Sequence, residues 1–123
     1  AWIRSPQEAV TAWDAIGQQP AVAEAGIRFV AEFSIIIARG ADGTAIRFDA
    51  PENEHEGGIL RRSTVPASAA VEAQAEAAAA MALGIAEALD HVGVLTVEFF
   101  ASADGPIVNE IAPRVHNSGH WSI

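Results

Sequence analysis

Two apolar runs in the last third of the chain, Val94 to Ala101 and Ile107 to Ile111, stand on either side of Ala103-Asp104-Gly105. Runs of this kind, joined by a short segment with Gly where a left-handed conformation is needed, predict an antiparallel hairpin. This hairpin constrains the fold more than any other feature, because the two-residue period of a strand and a short loop together decide which side chains share a face. A three-residue loop pairs Ser102 with Pro106, and in that register Glu98 falls directly opposite Glu110. Facing carboxylates sit with Cβ atoms about 5 Å apart and repel. The strands around them are otherwise apolar, so the pair is not fully solvated, and a hard divalent cation such as Mg²⁺ held by oxygen ligands offsets the repulsion. A polar sheet face open to water is the alternative at this point.

The remaining elements follow from local chemistry. Ser5-Pro6-Gln7-Glu8 is a capping box with Pro at the first helical position, in which the Ser5 hydroxyl accepts from the Glu8 amide and the Glu8 side chain reaches back to Ser5. Ala9, Trp13 and Ile16 then share a helix face, and Gly17 stops it. Val22 to Glu24 is a short β-prone segment, and Ala25-Gly26 reads as a hinge or turn. Phe29 to Arg39 is a strand whose Ile35-Ile36-Ile37 centre is apolar on both faces, so it is covered on both sides. Ala41-Asp42-Gly43 turns it back into Thr44 to Asp49. Glu52 to Gly58 is too polar and glycine-rich for an element and reads as a loop, leading to a strand from Ile59 to Val65. Ser68 caps a long alanine-rich helix to about Leu89, with Val71, Ala78, Met81, Ile85 and Leu89 as its apolar stripe.

Charge narrows the function. Seven basic residues against sixteen acidic give a net charge of −9, and no lysine occurs. Such a chain is a poor match for nucleic acid or an anionic membrane surface. The absence of Cys removes disulfides and thiolate chemistry, and no run approaches the roughly 18 apolar residues of a membrane span. The chain begins at Ala1, its single methionine is Met81, and it stops at Ile123 after a dense polar stretch, so it reads as a piece of a longer protein.

That polar stretch, Pro113-Arg114-Val115-His116-Asn117-Ser118-Gly119-His120-Trp121, gathers a guanidinium, two imidazoles, an amide and a hydroxyl directly after the carboxylate pair. Arg suits bidentate capture of carboxylate, bicarbonate or phosphate. An ordinary hydrogen-bonded loop is the competing reading. No G-x-G-x-x-G or P-loop pattern is present. Taken singly, Glu24, Glu32 and His55 read as solvated side chains.

Taken together, Val97-Glu98-Phe99-Phe100 and Val108-Asn109-Glu110-Ile111-Ala112-Pro113-Arg114-Val115-His116-Asn117-Ser118-Gly119-His120-Trp121 resemble the C-terminal signature of the 5-(carboxyamino)imidazole ribonucleotide synthases, ATP-grasp carboxylases of purine biosynthesis. The resemblance extends through Ser34 to Gly43, Asn53, His55, Gly58 to Arg61 and Gly93 to Leu95. It implies an α+β ATP-grasp fold, a largely antiparallel sheet flanked by helices. Residues 1–21 would end the small subdomain, 22–27 form the hinge, and 28–123 belong to a truncated large subdomain. It further implies that ATP is gripped at Glu24, Ala25, Gly26 and Ile27, largely through backbone groups, that Glu32 binds the ribose hydroxyls, and that His55 lies near the nucleotide. Asn109 and Glu110 join the nucleotide site, Glu98 and Glu110 hold Mg²⁺, and Arg114, His116 and Asn117 hold bicarbonate or the carboxyphosphate made from it.

The implied reaction is ATP-dependent carboxylation of 5-aminoimidazole ribonucleotide with bicarbonate, in a cytoplasmic homodimer without nucleic-acid or membrane partners. Another ATP-grasp carboxylase or ligase, or a non-catalytic divalent-cation module, are the alternatives. Ala25 departs from the family, which commonly has a second acid or a glutamine there. The glycine-rich phosphate lid with its lysines is expected outside this piece.

Overall fold

The computed structural model describes residues 1–122. Its element order is α1 (Pro6–Ala15), β1 (Ala31–Arg39), β2 (Ala45–Arg47), β3 (Glu52–Glu56), β4 (Ile59–Thr64), α2 (Ala69–Ala88), β5 (Gly93–Ser102), β6 (Gly105–Ala112) and a 3-10 helix over Asn117–Ser122. The strands form one antiparallel sheet in the order β4-β3-β1-β5-β6, with β2 pairing β1 off that path. Helix, sheet and antiparallel pairing are as expected for the α+β reading.

β1 and β5 are the two longest strands and pair along their whole length, from Ala31 against Ala101 to Arg39 against Gly93. Side chains alternate across a strand, so Phe33, Ile35, Ile37, Leu95, Val97, Phe99 and Ala101 share one face and form the core with α2. Glu32, Ser34, Ile36, Thr96, Glu98 and Phe100 project from the other. The 3-10 helix lies over part of that second face, where a Cβ on Gly119 would come within 3.1 Å of Ile36 Cδ1. Ile36 is thereby buried, and both faces of the Ile35-Ile36-Ile37 segment are covered.

Several elements differ from the sequence reading. The apolar stripe of α2 is Val71, Ala75, Ala78, Ala82 and Ala86, whereas Met81 and Leu89 are exposed. The sheet beneath already presents large side chains, so complementary packing places small residues on the helix. Replacing Ala82, which is fully buried, by Leu should therefore destabilise the domain by about 1–3 kcal/mol through overpacking. Ala77→Leu, on the exposed side of the same helix, should stay within about 0.5 kcal/mol of the parent. Denaturant unfolding of the two variants checks the orientation of α2, and equal costs would contradict it.

Glu52 to Glu56 is a strand rather than a loop, and Gly57-Gly58, both at positive φ, make its turn into β4. No strand forms at Val22 to Glu24, and the β2 ladder is limited to Ala45–Arg47. At the first helix the Ser5 hydroxyl accepts from the Glu8 amide at 3.3 Å as expected, but the Glu8 carboxylate reaches back to the Arg4 amide, at 2.7 Å. None of the α1 residues is buried.

The hairpin holds the most instructive difference. Ser102 pairs with Gly105, not Pro106, leaving a two-residue Ala103-Asp104 loop, and this tighter register continues through Phe99 against Val108. A β-bulge then absorbs one residue, Asn109, and Glu98 stands opposite Glu110. The facing carboxylates are present, reached through a one-residue offset at the tip and a compensating bulge.

Candidate functional site

The sheet face away from α2 carries a cleft of about 420 Å³ lined by Glu32, His55, Gly58, Leu60, Glu98, Asn109, Glu110, His116 and Asn117. Central strands supply Glu32 and Glu98, β3 and the turn after it supply His55 and Gly58, β4 supplies Leu60, β6 supplies Asn109 and Glu110, and the start of the 3-10 helix with the segment entering it supplies Asn117 and His116. A β-bulge re-aims side chains at the rim of a sheet, and here it brings the consecutive residues Asn109 and Glu110 to the same cleft.

Beside these carboxylates Asn53, Ser34 and Ser63 are paired with one another. Buried Asn53 donates from Nδ2 to Ser34 Oγ at 2.7 Å and accepts from Ser63 Oγ at 2.9 Å. Buried amides and hydroxyls persist when their hydrogen-bonding capacity is met, so Asn53 tolerates a position that composition would assign to an apolar residue. Ser34 is the cross-strand partner of Glu98, and Asn53 of Glu32. The two cleft carboxylates thus stand over one hydrogen-bonded floor.

Each of those carboxylates has an imidazole partner. His55 Nδ1 contacts Glu32 Oε2 across neighbouring strands. On the other side His116 Nε2 lies 3.0 Å from Glu98 Oε1, with both side chains largely shielded from water. Burial pushes the His116 pKa below its ordinary value, with Glu98 opposing that shift. The Ser118 amide donates to His116 Nδ1 at 3.3 Å. The same amide donates to Asn117 Oδ1 at 3.1 Å and the Ser118 hydroxyl lies 2.9 Å from Nδ1, so the ring is held from one turn of the 3-10 helix.

The donor set of Glu98 and Glu110, with the amide of Asn109 beside them, is made of hard oxygen ligands suited to Mg²⁺, which is commonly held by one or two carboxylates together with substrate phosphates. Among the described residues no group of three or more His, Cys, Asp and Glu is placed to hold a metal without such help.

The cleft therefore unites Glu32, His55, Glu98, Asn109, Glu110, His116 and Asn117. It does not include Arg114, which is exposed and donates from Nη1 to the Val115 carbonyl at 2.9 Å. Nor does it include Glu24, Ala25, Gly26 and Ile27, which are exposed and outside any regular element; Gly26 lies instead against the Trp2 ring, 2.8 Å from where a Cβ would stand. Leu60, Gly58, Ser34 and Asn53 were not legible as site residues. A buried-strand pattern hid Ser34, and the polar run around Asn53 gave no strand signal.

An ATP-grasp domain model matches residues 1–123. The N5-carboxyaminoimidazole ribonucleotide synthase of Brucella melitensis is 49% identical over 116 residues, 94% of this chain and 32% of that protein. The Escherichia coli synthase of the same name is 43% identical, over 82% of this chain and 28% of its own length. Among solved structures, the N5-carboxyaminoimidazole ribonucleotide synthetase of Thermus thermophilus superposes with a TM-score of 0.91 at 45% identity, covering 99% of this chain and 34% of the other. The Aspergillus clavatus synthase, solved with ADP and 5-aminoimidazole ribonucleotide, gives 0.85 at 30% identity, covering 97% and 32%. The chain thus spans about a third of the length of the relatives it matches. With the sheet, the cleft and the full-length match in agreement, this chain belongs to the ATP-grasp family.

Proposed function

We infer that the protein carrying this chain uses ATP and bicarbonate to carboxylate 5-aminoimidazole ribonucleotide, giving N5-carboxyaminoimidazole ribonucleotide, ADP and phosphate. The observation that carries this reading is the convergence of Glu98, Asn109, Glu110, His116 and Asn117 on one cleft, in a domain whose relatives bear that name. In this reaction a bicarbonate oxygen attacks the γ-phosphorus of ATP and ADP departs. The substrate amine then attacks the carboxyl carbon of the resulting carboxyphosphate, and phosphate leaves with the C–O pair.

Each group has a task of its own kind. Glu98 and Glu110 would hold Mg²⁺, which when bound supplies positive charge to the triphosphate during phosphoryl transfer. Glu32, steadied by His55, is a hydrogen-bond acceptor for the ribose hydroxyls, and Glu24 to Ile27 offer backbone groups to adenine. Asn117 serves the anion end, with His116 beside Glu98, and the guanidinium of Arg114, outside the cleft here and turned to the Val115 carbonyl, would have to swing in to join them. The chain lacks lysine, so ammonium groups for the phosphates come from other segments of the protein. A cytoplasmic homodimer is the setting this family reading carries; among the described residues no helix is long and apolar enough to cross a membrane.

The test is phosphate release by the whole protein. Release that requires ATP, Mg²⁺, bicarbonate and 5-aminoimidazole ribonucleotide together, with carboxylated product formed in step, is the expected result. Divalent-cation binding with no nucleotide preference would leave a non-catalytic cation module. Turnover with a different acceptor would place the protein among other ATP-grasp ligases.

A further inference from the structure

The 3-10 helix meets β1 at a point of close approach. A Cβ on Gly119 would stand 3.1 Å from Ile36 Cδ1. Gly119 is not among the glycines at positive φ, so the position asks for glycine through lack of space and not through conformation. Ile36 projects from the cleft face of β1 and is only 6% exposed, and its cross-strand partner Thr96 is fully buried. A close-packed interior gives little way. An added methyl group would therefore be accommodated by the helix and not by the isoleucine.

What rides on that helix is one end of the cleft. The Gly119 amide donates to the His116 carbonyl at 3.0 Å. The Ser118 amide donates to Asn117 Oδ1 at 3.1 Å, and Ser118 Oγ lies 2.9 Å from His116 Nδ1. His116 and Asn117, which both line the cleft, are thus tied to the same turn that meets Ile36. We propose that Gly119 is a positioning residue: its contact with Ile36 sets the height of this turn above the sheet and thereby places His116 and Asn117 in the cleft. A Cβ at Gly119 would lift the turn by a few tenths of an ångström. The consequence for bicarbonate rests on the functional reading given above, whereas the contact and its transmission to the turn do not.

Three variants of the whole protein test this: Gly119→Ala, Ile36→Val, which deletes the Cδ1 atom in the way, and the two combined. In ligand-free spectra of Gly119→Ala, the Ile36 δ1-methyl ¹³C shift should keep its parental rotamer signature while the amide resonances of His116 and Asn117 move. Adding Ile36→Val should return those amides to their positions in the Ile36→Val protein, a reversal that a purely local effect of the new methyl would not show. A changed Ile36 rotamer, or amides that Ile36→Val does not restore, overturns the proposal. In turnover, Gly119→Ala should raise the KM for bicarbonate about fivefold and the KM for ATP less than about twofold, with the combined variant recovering the bicarbonate value. Restored amides with an unaltered bicarbonate KM would support the positioning and contradict the bicarbonate role of this end of the cleft. Should Gly119→Ala not fold, a combined variant that folds and keeps the parental bicarbonate KM supports the proposal, and one that does not fold overturns it.

Discussion

Glu98→Gln is expected to slow bicarbonate-dependent phosphate release by at least about a hundredfold, or roughly 2.7 kcal/mol of barrier. The substitution is nearly isosteric, so the amide oxygen of Gln can keep the 3.0 Å approach to His116 Nε2. What disappears is the charge. A neutral amide beside Glu110 leaves one carboxylate where the facing pair supplied two, and the Mg²⁺ dependence of the reaction should shift to higher concentration. Unchanged turnover with an unchanged Mg²⁺ titration would overturn the proposed role of Glu98 as a Mg²⁺ ligand.

The second large effect is on stability. Phe33 is fully buried and stacks on Phe99 with ring centroids 5.3 Å apart, at the centre of the core beneath α2. Phe33→Ala deletes most of that contact and leaves a cavity between two ladders that cannot close on each other. The expected cost is about 3–5 kcal/mol, a large share of the roughly 5–15 kcal/mol that holds a domain together. Denaturant unfolding reads it directly. A loss below about 1 kcal/mol would mean that the core repacks around the vacancy, which the pairing of β1 with β5 on one side and β3 on the other argues against.

The elements that were legible from sequence are those in which one physical signal dominates. β1 has a centre, Ile35-Ile36-Ile37, that is apolar on both faces, β5 is rich in apolar residues, and the Ser5 cap and the Gly17 stop are local chemistry. β3 was not legible, because Glu52-Asn53-Glu54-His55-Glu56 has no apolar alternation to find. Its inward residues face a wet cleft or a hydrogen-bonded floor, and Asn53 is buried through Ser34 and Ser63 rather than through hydrophobicity. The α2 stripe was misread because alanines surround it on every side, so periodicity offers no contrast and the larger residues attract attention. Only the facing sheet decides that the small ones are inside.

The site was partly legible for a similar reason. Facing carboxylates on a hairpin are a register property, and Glu98 and Glu110 do face each other. The loop assignment that led there was off by one residue, and the bulge at Asn109 corrected it. Neither a bulge nor the tightness of a turn is written in alternation alone, since Val108-Asn109-Glu110 is compatible with either pairing. The Ser118 to His116 contact lies within one turn of helix and was hidden for another reason: a buried hydroxyl is indistinguishable by sequence from a solvated one.

The bulge has a bearing on how such a chain tolerates change in its gene. Because Asn109 faces no partner residue, loss of its codon would let the flush register of the hairpin tip run on without interruption, and Glu110 would still arrive opposite Glu98. A codon lost between Pro106 and Val108 would also bring Glu110 opposite Glu98, but every residue from the lesion to Asn109 would move one place and change face. The supernumerary residue therefore acts as an expansion joint in the reading of the strand. Loss at that position is the one that leaves every other pair of the hairpin in place.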